Sequence, residues 1–394
     1  STAVTGARVV SLRWSRRVGS PLRQPVTLGK DGQMFLTTHA DDPQSDLQCA
    51  MFAFQMETGR KRVCGRLGPD AISAPNILDG DTNVYVGDDS AVTSMNYLGQ
   101  PRWVTPVAGV PVALQFTGDG NVVSITQSGQ VDVLNRQNGR RVVPTTYLVG
   151  PPDPLVQPDL PWPPSGEGLS DCPTGGPGCA VASDAALDTA QERIYVTVRR
   201  PGAATAALVA LQYAAGRVTQ VWSSEILRDG SATSPTVSAD GKTVYVGDNS
   251  KRLLAVEADT GKVRWEQALQ WAPQRGISVS PDGVIIPAGD AGYLAAYRDQ
   301  GTAASQIWQR TQVALRGQPV QSAGGTGYVV VAQGEGLALE SFDTATGATT
   351  DTETLPTATD TTTGTALGAN GEVVTATTGG EVYVFGPRGT DKTD

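Results

Sequence analysis

Apolar and polar residues alternate along residues 253–269, which read LLAVEADTGKVRWEQAL. The apolar positions Leu254, Val256, Val263 and Trp265 lie on the two sides of a short turn that contains a glycine. Alternation over a few residues is typical of a half-buried β-strand, and two such runs joined by a tight turn are typical of a β-hairpin. The segment is therefore predicted to form two antiparallel strands, the second of which carries a tryptophan.

Related segments recur along the whole chain, and each contains a short β-rich run. The runs begin about 40 to 50 residues apart at most intervals, which is a period typical of repeat folds. Asp-Gly or Asn-Gly pairs precede many of them and supply the positive φ angles that tight hairpin turns need. The eight runs are MFLT at Met34, VYVG at Val84, VVSI at Val122, IYVT at Ile194, VYVG at Val244, VIIP at Val284, YVVV at Tyr328 and VVTA at Val373.

A unit of four short strands cannot bury its apolar face alone, whereas radial packing against neighbouring units buries it. The repeats therefore predict an all-β chain that forms one domain over residues 1–394, an eight-bladed β-propeller of four-stranded antiparallel blades. The last unit stops after EVYVFGPRGT, and ARVVSLRWSR at residues 7–16 resembles its missing outermost strand. The N-terminal strand is thus expected to close the ring. Seven blades are the alternative, because the fourth unit is irregular.

The stretch AVEADTGKVRW at residues 255–265 resembles the tryptophan-docking repeat of the PQQ-like (pyrroloquinoline-quinone-type) β-propellers. In that family the tryptophan wedges between adjacent blades and a Thr-Gly turn caps the hairpin. The resemblance implies that Gly59, Gly261 and Gly347 lie in matching turns, whereas NGRRVV in the third unit and ATGATTDTE in the seventh lack the tryptophan. It also implies a structural, blade-docking role for five tryptophans: Trp14, Trp103, Trp222, Trp265 and Trp308.

The same family includes quinoprotein alcohol dehydrogenases as well as cofactor-free relatives, such as the propeller lipoprotein of the outer-membrane protein assembly machine. The resemblance implies that an enzyme of the first kind would need a bound quinone, a calcium or lanthanide ion, an Asp general base and a disulfide between adjacent cysteines. This sequence has no adjacent cysteine pair. The cofactor-free relatives are therefore the closer match, and neither a cofactor nor a metal site is predicted.

Other catalytic arrangements also lack support in the sequence. The acidic stretches at residues 40–46 and 79–89 do not have the spacing of an EF-hand loop, and aspartates in β-turns usually accept hydrogen bonds from their own backbone. His39 is the only histidine, so a Ser-His-Asp or Cys-His arrangement would depend on one loop residue, and no GxSxG motif occurs. The sequence therefore predicts no catalytic residue.

Charge and hydropathy limit the classes of partner. The formal net charge is −9 with a pI near 4.8, and no basic stripe is evident, so nucleic acid is not an expected partner. No apolar run is long enough for a transmembrane helix. The chain begins without a methionine, which suggests that a signal peptide or membrane anchor has been removed. The preference for Arg over Lys and the abundance of Ala, Gly, Thr and Val favour a high-GC bacterium, such as an actinobacterium.

Four cysteines form two pairs that are local in sequence, and the disulfides expected are Cys49–Cys64 and Cys172–Cys179. Antiparallel strands on either side of METG would bring the first pair into approximate register. Other pairings are formally open, and four free buried thiols are the alternative. Disulfides would indicate an oxidising compartment outside the cytoplasm, either the periplasm or the cell envelope.

A proline-rich insertion at residues 144–180 interrupts the repeat. Ten of the 26 prolines lie in it, and proline favours extended structure while removing a backbone donor. The predicted structure is a loop fastened by Cys172 and Cys179. Trp162 lies between prolines, ends no strand and is the candidate anchor for a binding partner; a connection packed on the propeller is the alternative.

These observations favour a monomeric, non-enzymatic scaffold of the bacterial cell envelope that binds protein partners. The expected role is that of an accessory subunit in an assembly or lipid-export complex at a membrane. A quinoprotein-like or hydrolytic enzyme and a carbohydrate-binding module are the alternatives, because a propeller fold does not by itself determine an activity.

Overall fold

The computed structural model describes residues 4–18, 21–38, 51–65, 74–88, 90–150, 168–182 and 184–389. These residues form eight four-stranded antiparallel sheets, which are the blades of a β-propeller. The predicted all-β class and the eight blades are both confirmed. Each of the eight β-rich runs contributes to the second strand of one blade, counted outwards from the axis.

Each blade has four strands that follow one another from the axis to the rim. From the innermost strand to the outermost, blades 1 to 4 are Thr27–Leu28, Gln33–Thr37, Met51–Gln55 and Lys61–Gly65; Ile77–Leu78, Val84–Asp88, Ala91–Met95 and Pro101–Pro106; Pro111–Phe116, Val122–Thr126, Gln130–Leu134 and Thr146–Tyr147; Ala186–Asp188, Arg193–Val198, Thr205–Ala214 and Arg217–Arg228. In the same order, blades 5 to 8 are Thr236–Val237, Thr243–Asp248, Arg252–Glu257 and Val263–Ala268; Ser278–Val279, Val284–Ile286, Tyr293–Asp299 and Ala304–Ala314; Val320–Gln321, Thr326–Gln333, Gly336–Asp343 and Thr349–Leu355; Thr362–Leu367, Val373–Thr377, Glu381–Pro387 and Val10–Arg17.

The N-terminal strand closes the ring, as the sequence predicted. Val10–Arg17 pairs antiparallel with Glu381–Pro387, and the register runs from Val10 opposite Pro387 to Arg17 opposite Glu381. Strands from the two ends of the chain thereby complete blade 8. The exposed edge that a three-stranded last blade would leave is covered.

The insertion differs in part from its prediction as a loop. Thr146–Tyr147 forms the short outermost strand of blade 3 and pairs with Gln130–Val131. Farther along, Leu169–Thr174 forms a 3₁₀-helix. The sequence signal for the strand was weak because only two residues pair and prolines lie close by.

Two faces of the disc follow from this connectivity. The upper face carries the turns between second and third strands and the connections between blades, for example residues 127–129 and 269–273. The lower face carries the turns between first and second strands and the hairpins that join third to outermost strands, for example residues 135–139. An additional parallel pair on the upper face, Ala232–Ser234 with Gln274–Gly276, links the connections that precede blades 5 and 6.

Apolar side chains of adjacent blades form shared cores. Val123 and Val133 of blade 3 pack in one cluster with Ile194 and Val209 of blade 4, and all four are almost completely buried. Burial of such a side chain contributes about 1.5 to 3 kcal/mol to folding. Because each cluster draws on two blades, no single blade buries its apolar faces without its neighbours.

Tryptophans on outermost strands contact the hairpin of the next blade. The Trp222 indole donates a hydrogen bond from Nε1 to the Ala258 carbonyl at 2.9 Å, and its ring lies against Gly261. Three other tryptophans make the same two contacts. Trp14 donates to the Met56 carbonyl and packs on Gly59, and Trp103 donates to the Arg136 carbonyl and packs on Gly139. Trp308 donates to the Thr344 carbonyl and packs on Gly347. Trp265 donates instead to Asp299 Oδ1 at 2.8 Å. These are the contacts that the resemblance implied, and Gly139 is an additional turn of the same kind.

Three junctions lack the tryptophan. Val63, Val143 and Asp351 follow their hairpin glycines by the same spacing as Trp103 and Trp265. At the junction of blades 7 and 8, the Asp351 carboxylate accepts a hydrogen bond from Val10 N at 3.0 Å and lies 3.7 Å from Arg388. A polar contact therefore replaces the indole at that junction.

Substitution of a hairpin glycine tests the tryptophan contact. A Cβ atom at Gly261 would lie 2.5 Å from Trp222 Cε3 and would sit on a backbone with φ of 76°. Gly216 has φ of 70°, but a Cβ there would meet no atom within 4 Å. We expect Gly216→Ala to lower the free energy of unfolding by about 1 kcal/mol from backbone strain alone, and Gly261→Ala by roughly 2 to 4 kcal/mol because overpacking adds to it. Urea unfolding measures both; equal losses would contradict a tight indole contact.

Candidate interaction face

The described part of the insertion, residues 168–182, is packed on the upper face. The disulfide Cys172–Cys179 has an S–S distance of 2.09 Å, and both cysteines are buried in the core shared by blades 3 and 4. Val181 is fully buried in the same core. Backbone N–H groups of Ala180 and Val181 donate to the Gln127 carbonyl of blade 3 at 2.9 and 3.2 Å. This part of the insertion is a fixed element of the propeller.

Side chains of blades 4 and 5 hold the same segment from below. Arg199 donates from Nη1 to the Gly175 carbonyl at 2.9 Å, and its backbone N–H donates to the Ala180 carbonyl at 2.8 Å. Asn249 donates from Nδ2 to the Thr174 carbonyl at 2.8 Å. Because backbone carbonyls are the acceptors, these contacts fix the path of the chain. The segment thus spans blades 3, 4 and 5, and we name residues 168–182 the platform.

A buried ion network joins blades 4 and 5 beneath this face. The Arg252 guanidinium contacts Asp248 at 2.7 Å, bonds to Glu266 and donates to the Ile226 carbonyl of blade 4 at 2.8 Å. Asp248 also accepts a hydrogen bond from the Arg228 backbone N–H at 3.1 Å. A buried, fully hydrogen-bonded pair of this kind rigidifies its surroundings.

Arg275 and Trp271 fix the next connection of the upper face. Arg275 has φ of 63° and donates from Nη1 to the Thr362 carbonyl of blade 8. Trp271 is 2% exposed and packs against Tyr293, with ring centroids 4.8 Å apart. Sequence reasoning assigned no role to Trp271, and the glycines that its ring requires, Gly289 and Gly292, were the available signal.

Two aspartates at the junction of blades 3 and 4 have pKa values that shift in opposite directions. Burial raises the pKa of Asp184 to about 7, although its carboxylate accepts hydrogen bonds from Gln115 at 3.2 Å and from Ala185 N at 2.9 Å. Burial also acts to raise the pKa of Asp119, but hydrogen bonds from Thr117, Tyr213 and Asn121 together lower it. One of the three junctions that lack a docking tryptophan therefore contains a carboxylate whose pKa is strongly raised.

Several predicted residues lie outside the described residues. Trp162, Cys49 and His39 are among them, so the anchor, the Cys49–Cys64 pairing and the loop position of the histidine stay predictions. Cys64 itself is disulfide-bonded. No described cysteine has a free thiol.

The acidic stretch that begins at Asp79 serves its own turn. The Asp79 carboxylate accepts hydrogen bonds from Asp81 N and Asn83 N, both at 2.9 Å, and from the Tyr85 hydroxyl at 2.7 Å. Across the ranges that the structure describes, no three His, Cys, Asp or Glu side chains come together as a metal site.

Sequence comparison shows the family. The chain is 34% identical over 393 residues to "Protein Rv3035" of Mycobacterium tuberculosis, and the match covers 98% of this chain and 92% of that protein. A family model described as "Outer membrane protein assembly factor BamB" matches residues 202–392. The chain belongs to the PQQ-like β-propeller family. The resemblance drawn from the tryptophan-docking repeat is thereby confirmed.

Solved structures share the fold of this PQQ-like propeller. BamB from Moraxella catarrhalis matches with a TM-score of 0.66 and 17% identity, over 96% of this chain and 100% of that chain. The computationally designed Ika8 protein matches with a TM-score of 0.66 and 12% identity, over 96% and 99%. The Dos1 propeller matches with a TM-score of 0.71 and 9% identity, over 97% of both chains. At these identities the likeness concerns architecture alone.

Within the part of the chain that the structure describes, no helix is both long and apolar enough to cross a bilayer.

The raised pKa of Asp184 predicts that this residue makes the protein less stable as the pH rises, which is opposite to the effect of a carboxylate with a lowered pKa. The pKa of Asp184 is higher in the folded state than in the unfolded state. Its stabilising contribution to the free energy of unfolding is therefore fully present below about pH 4 and is lost as the pH rises towards 7. We expect Asp184→Asn to raise the free energy of unfolding by roughly 1 to 3 kcal/mol at pH 8 and to change it little at pH 4. Asp119→Asn should instead lower stability at pH 8, because the pKa of Asp119 is lowered. Urea titrations across this pH range measure both, and parallel pH profiles for wild type and Asp184→Asn would contradict the assignment.

Proposed function

We propose that this PQQ-like propeller is a non-enzymatic scaffold of the bacterial cell envelope that binds protein partners through its upper face. Its role is that of an accessory subunit in a membrane-associated assembly or lipid-export complex, to which it is recruited as a monomer. The BamB-type family model and the match to the BamB propeller support this proposal. The relative from Mycobacterium tuberculosis supports an actinobacterial source.

The platform at residues 168–182 is the observation that carries the proposal. Interfaces gain affinity when the binding surface is already ordered, because less conformational freedom is lost on association. The platform is fastened by a disulfide and by hydrogen bonds from Arg199 and Asn249 to its carbonyls. The platform is thus a rigid base on which an interface of the upper face can be built.

Cysteine chemistry supports the proposed location outside the cytoplasm. Disulfides persist mainly in oxidising compartments, and Cys64, Cys172 and Cys179 are all disulfide-bonded. A periplasmic or cell-envelope location supports access to membrane complexes from outside the cytoplasm.

Co-purification from native membranes tests the partner assignment. We expect the tagged chain to recover a defined set of membrane-complex subunits, identified by mass spectrometry. Arg199→Ala removes a platform anchor and should reduce recovery severalfold, whereas Arg217→Ala, on an exposed outermost strand, should not. Thermal unfolding of both variants reports whether the ring stays folded.

Other outcomes would contradict the scaffold. Redox turnover and a quinone absorbance band after reconstitution with quinone and Ca²⁺ would support an enzyme. Binding on a glycan array without any recovered protein would support a carbohydrate-binding module.

Trp162→Ala tests the anchor separately. If Trp162 is the central contact, its removal should weaken partner association by about 2 kcal/mol and leave the melting temperature unchanged. Trp222→Ala is the contrasting variant, because it removes a ring contact and should lower the melting temperature while folded molecules still bind. Association is measured by titration calorimetry with the recovered partner. A lowered melting temperature and unchanged binding for Trp162→Ala would assign Trp162 to packing.

A further inference from the structure

The hairpin of blade 2 presents two large apolar side chains on the lower face. Tyr97 is 52% exposed and Leu98 is 54% exposed. Asn96 holds the tip, since its side-chain oxygen accepts hydrogen bonds from Leu98 N at 2.9 Å and Gln100 N at 3.0 Å. Four other hairpins carry polar or small residues at the corresponding tips: Glu57–Thr58, Gln137–Asn138, Asp259–Thr260 and Ala345–Thr346. The exposed pair is therefore a local feature of blade 2, held in a fixed conformation.

Exposed cations flank this tip on both sides around the ring. Arg60, Lys61 and Arg62 follow the hairpin of blade 1, which precedes blade 2. Arg16 of blade 8 reaches the same hairpin and donates from Nε to the Gly59 carbonyl at 3.2 Å. Arg140 lies on the hairpin of blade 3, which Trp103 of blade 2 contacts through Gly139.

Exposed large apolar side chains are concentrated on blades 2 and 3, although Tyr147 pairs with Gln130 near the upper face. Five of the seven exposed large apolar side chains among the described residues belong to blades 2 and 3: Tyr97, Leu98, Val104, Val142 and Tyr147. We name the seven residues Arg16, Arg60, Lys61, Arg62, Tyr97, Leu98 and Arg140 the lower-rim patch.

Among the described residues, the cations of the lower-rim patch form no ion pairs. Within the described ranges, none of its five cations lies within 4 Å of a carboxylate, although ion pairs occur on many other arginines. Glu57 is the exposed acidic residue of the blade 1 hairpin, and Asp31 and Asp81 are exposed on the turns nearer the axis of the same face. The chain as a whole has a net charge of −9, so the patch opposes the average charge of the molecule. Its cations are available to an external anionic surface.

We propose that the lower-rim patch binds an anionic lipid membrane surface. Each Lys or Arg near such a surface contributes about 1 kcal/mol of attraction, and tyrosine and leucine side chains are favourable at the boundary between headgroups and acyl chains. The apolar pair projects from a hairpin tip, and a deformable lipid layer can receive a projecting tip. An acidic protein would need a pocket of matching shape. The patch and the platform lie at opposite ends of the blade strands, so this proposal does not depend on the proposed partner.

Sedimentation with vesicles tests the proposal on the full chain. We expect wild type to bind vesicles of 30% phosphatidylglycerol in phosphatidylcholine, to bind pure phosphatidylcholine weakly, and to dissociate as NaCl increases. Neutralisation of three cations, Arg60→Gln with Lys61→Gln and Arg62→Gln, should weaken binding to anionic vesicles by roughly a hundredfold. Tyr97→Ser with Leu98→Ser should weaken it as well and should reduce the change in tyrosine fluorescence on binding.

A matched control removes the same charge elsewhere. Arg217, Lys242 and Lys262 are exposed on blades 4 and 5, and their triple replacement by Gln should leave vesicle binding within about twofold, because the interaction is local. Circular dichroism melting shows whether each variant is folded. Equal loss in the control, binding that ignores lipid charge, or binding to acidic peptide or DNA without vesicle binding would overturn the proposal. The partner experiment is unaffected by any of these outcomes.

Discussion

The contact between an indole and the hairpin glycine of the next blade is the constraint on which the ring depends. Each blade is a small sheet whose apolar faces are covered only by its neighbours, so the angle between blades must be fixed. The Trp222 ring does this by occupying the space that a side chain at Gly261 would fill, while its N–H satisfies the Ala258 carbonyl. One residue thereby sets both the distance and the orientation of the adjacent blade. The same contact recurs at Trp14, Trp103 and Trp308, so four of the eight junctions are fixed in the same way.

Two of the three junctions without the indole have polar contacts beside their apolar cores, and these contacts differ from one junction to the other. Blades 7 and 8 meet through Asp351, Val10 and Arg388, which couples the two ends of the chain. Blades 3 and 4 meet through the Tyr213 hydroxyl on Asp119 at 2.8 Å and through Gln115 on Asp184. The carboxylates of these contacts gain or lose a proton as the pH changes, whereas the contact between an indole and a glycine contains no titrating group. The insertion leaves the ring at this same junction, so its base rests on the part of the fold that is least uniform.

The architecture could be predicted because its signals are local. Alternating residues around Asp-Gly or Thr-Gly turns specify strands and hairpins within one repeat, and eight repeats specify the ring. Gly139 was missed because it follows Asn138, whereas the predicted glycines Gly59, Gly261 and Gly347 all follow a threonine, as in the Thr-Gly turn of the family. Trp271 was missed because it lies in a connection and its partners, Gly289 and Gly292, come from the next blade.

The surfaces of the molecule were harder to predict than its strands. Arg16, Arg60 and Arg140 are far apart in sequence, so no run of basic residues predicts that they form a group. Strand pairing and ring closure bring them to one rim of the molecule. The raised pKa of Asp184 likewise depends on burial that only the packed junction creates. A net charge summed along the sequence does not show how charges are distributed over the folded surface. A chain with a net charge of −9 can therefore present a cationic sector.

The rigidity of the ring determines how its upper and lower faces can act together. Strands that run between the upper and lower faces are buried in shared cores, and the Arg252 network and the tryptophan contacts leave few soft elements between blades. Such a body does not need to change shape in order to serve as a scaffold, because it fixes relative positions. With the lower-rim patch of blades 1 to 3 at a lipid surface, the platform on blades 3 to 5 would point away from that surface at a constant height. The blade strands would then set the distance between a bound partner and the membrane.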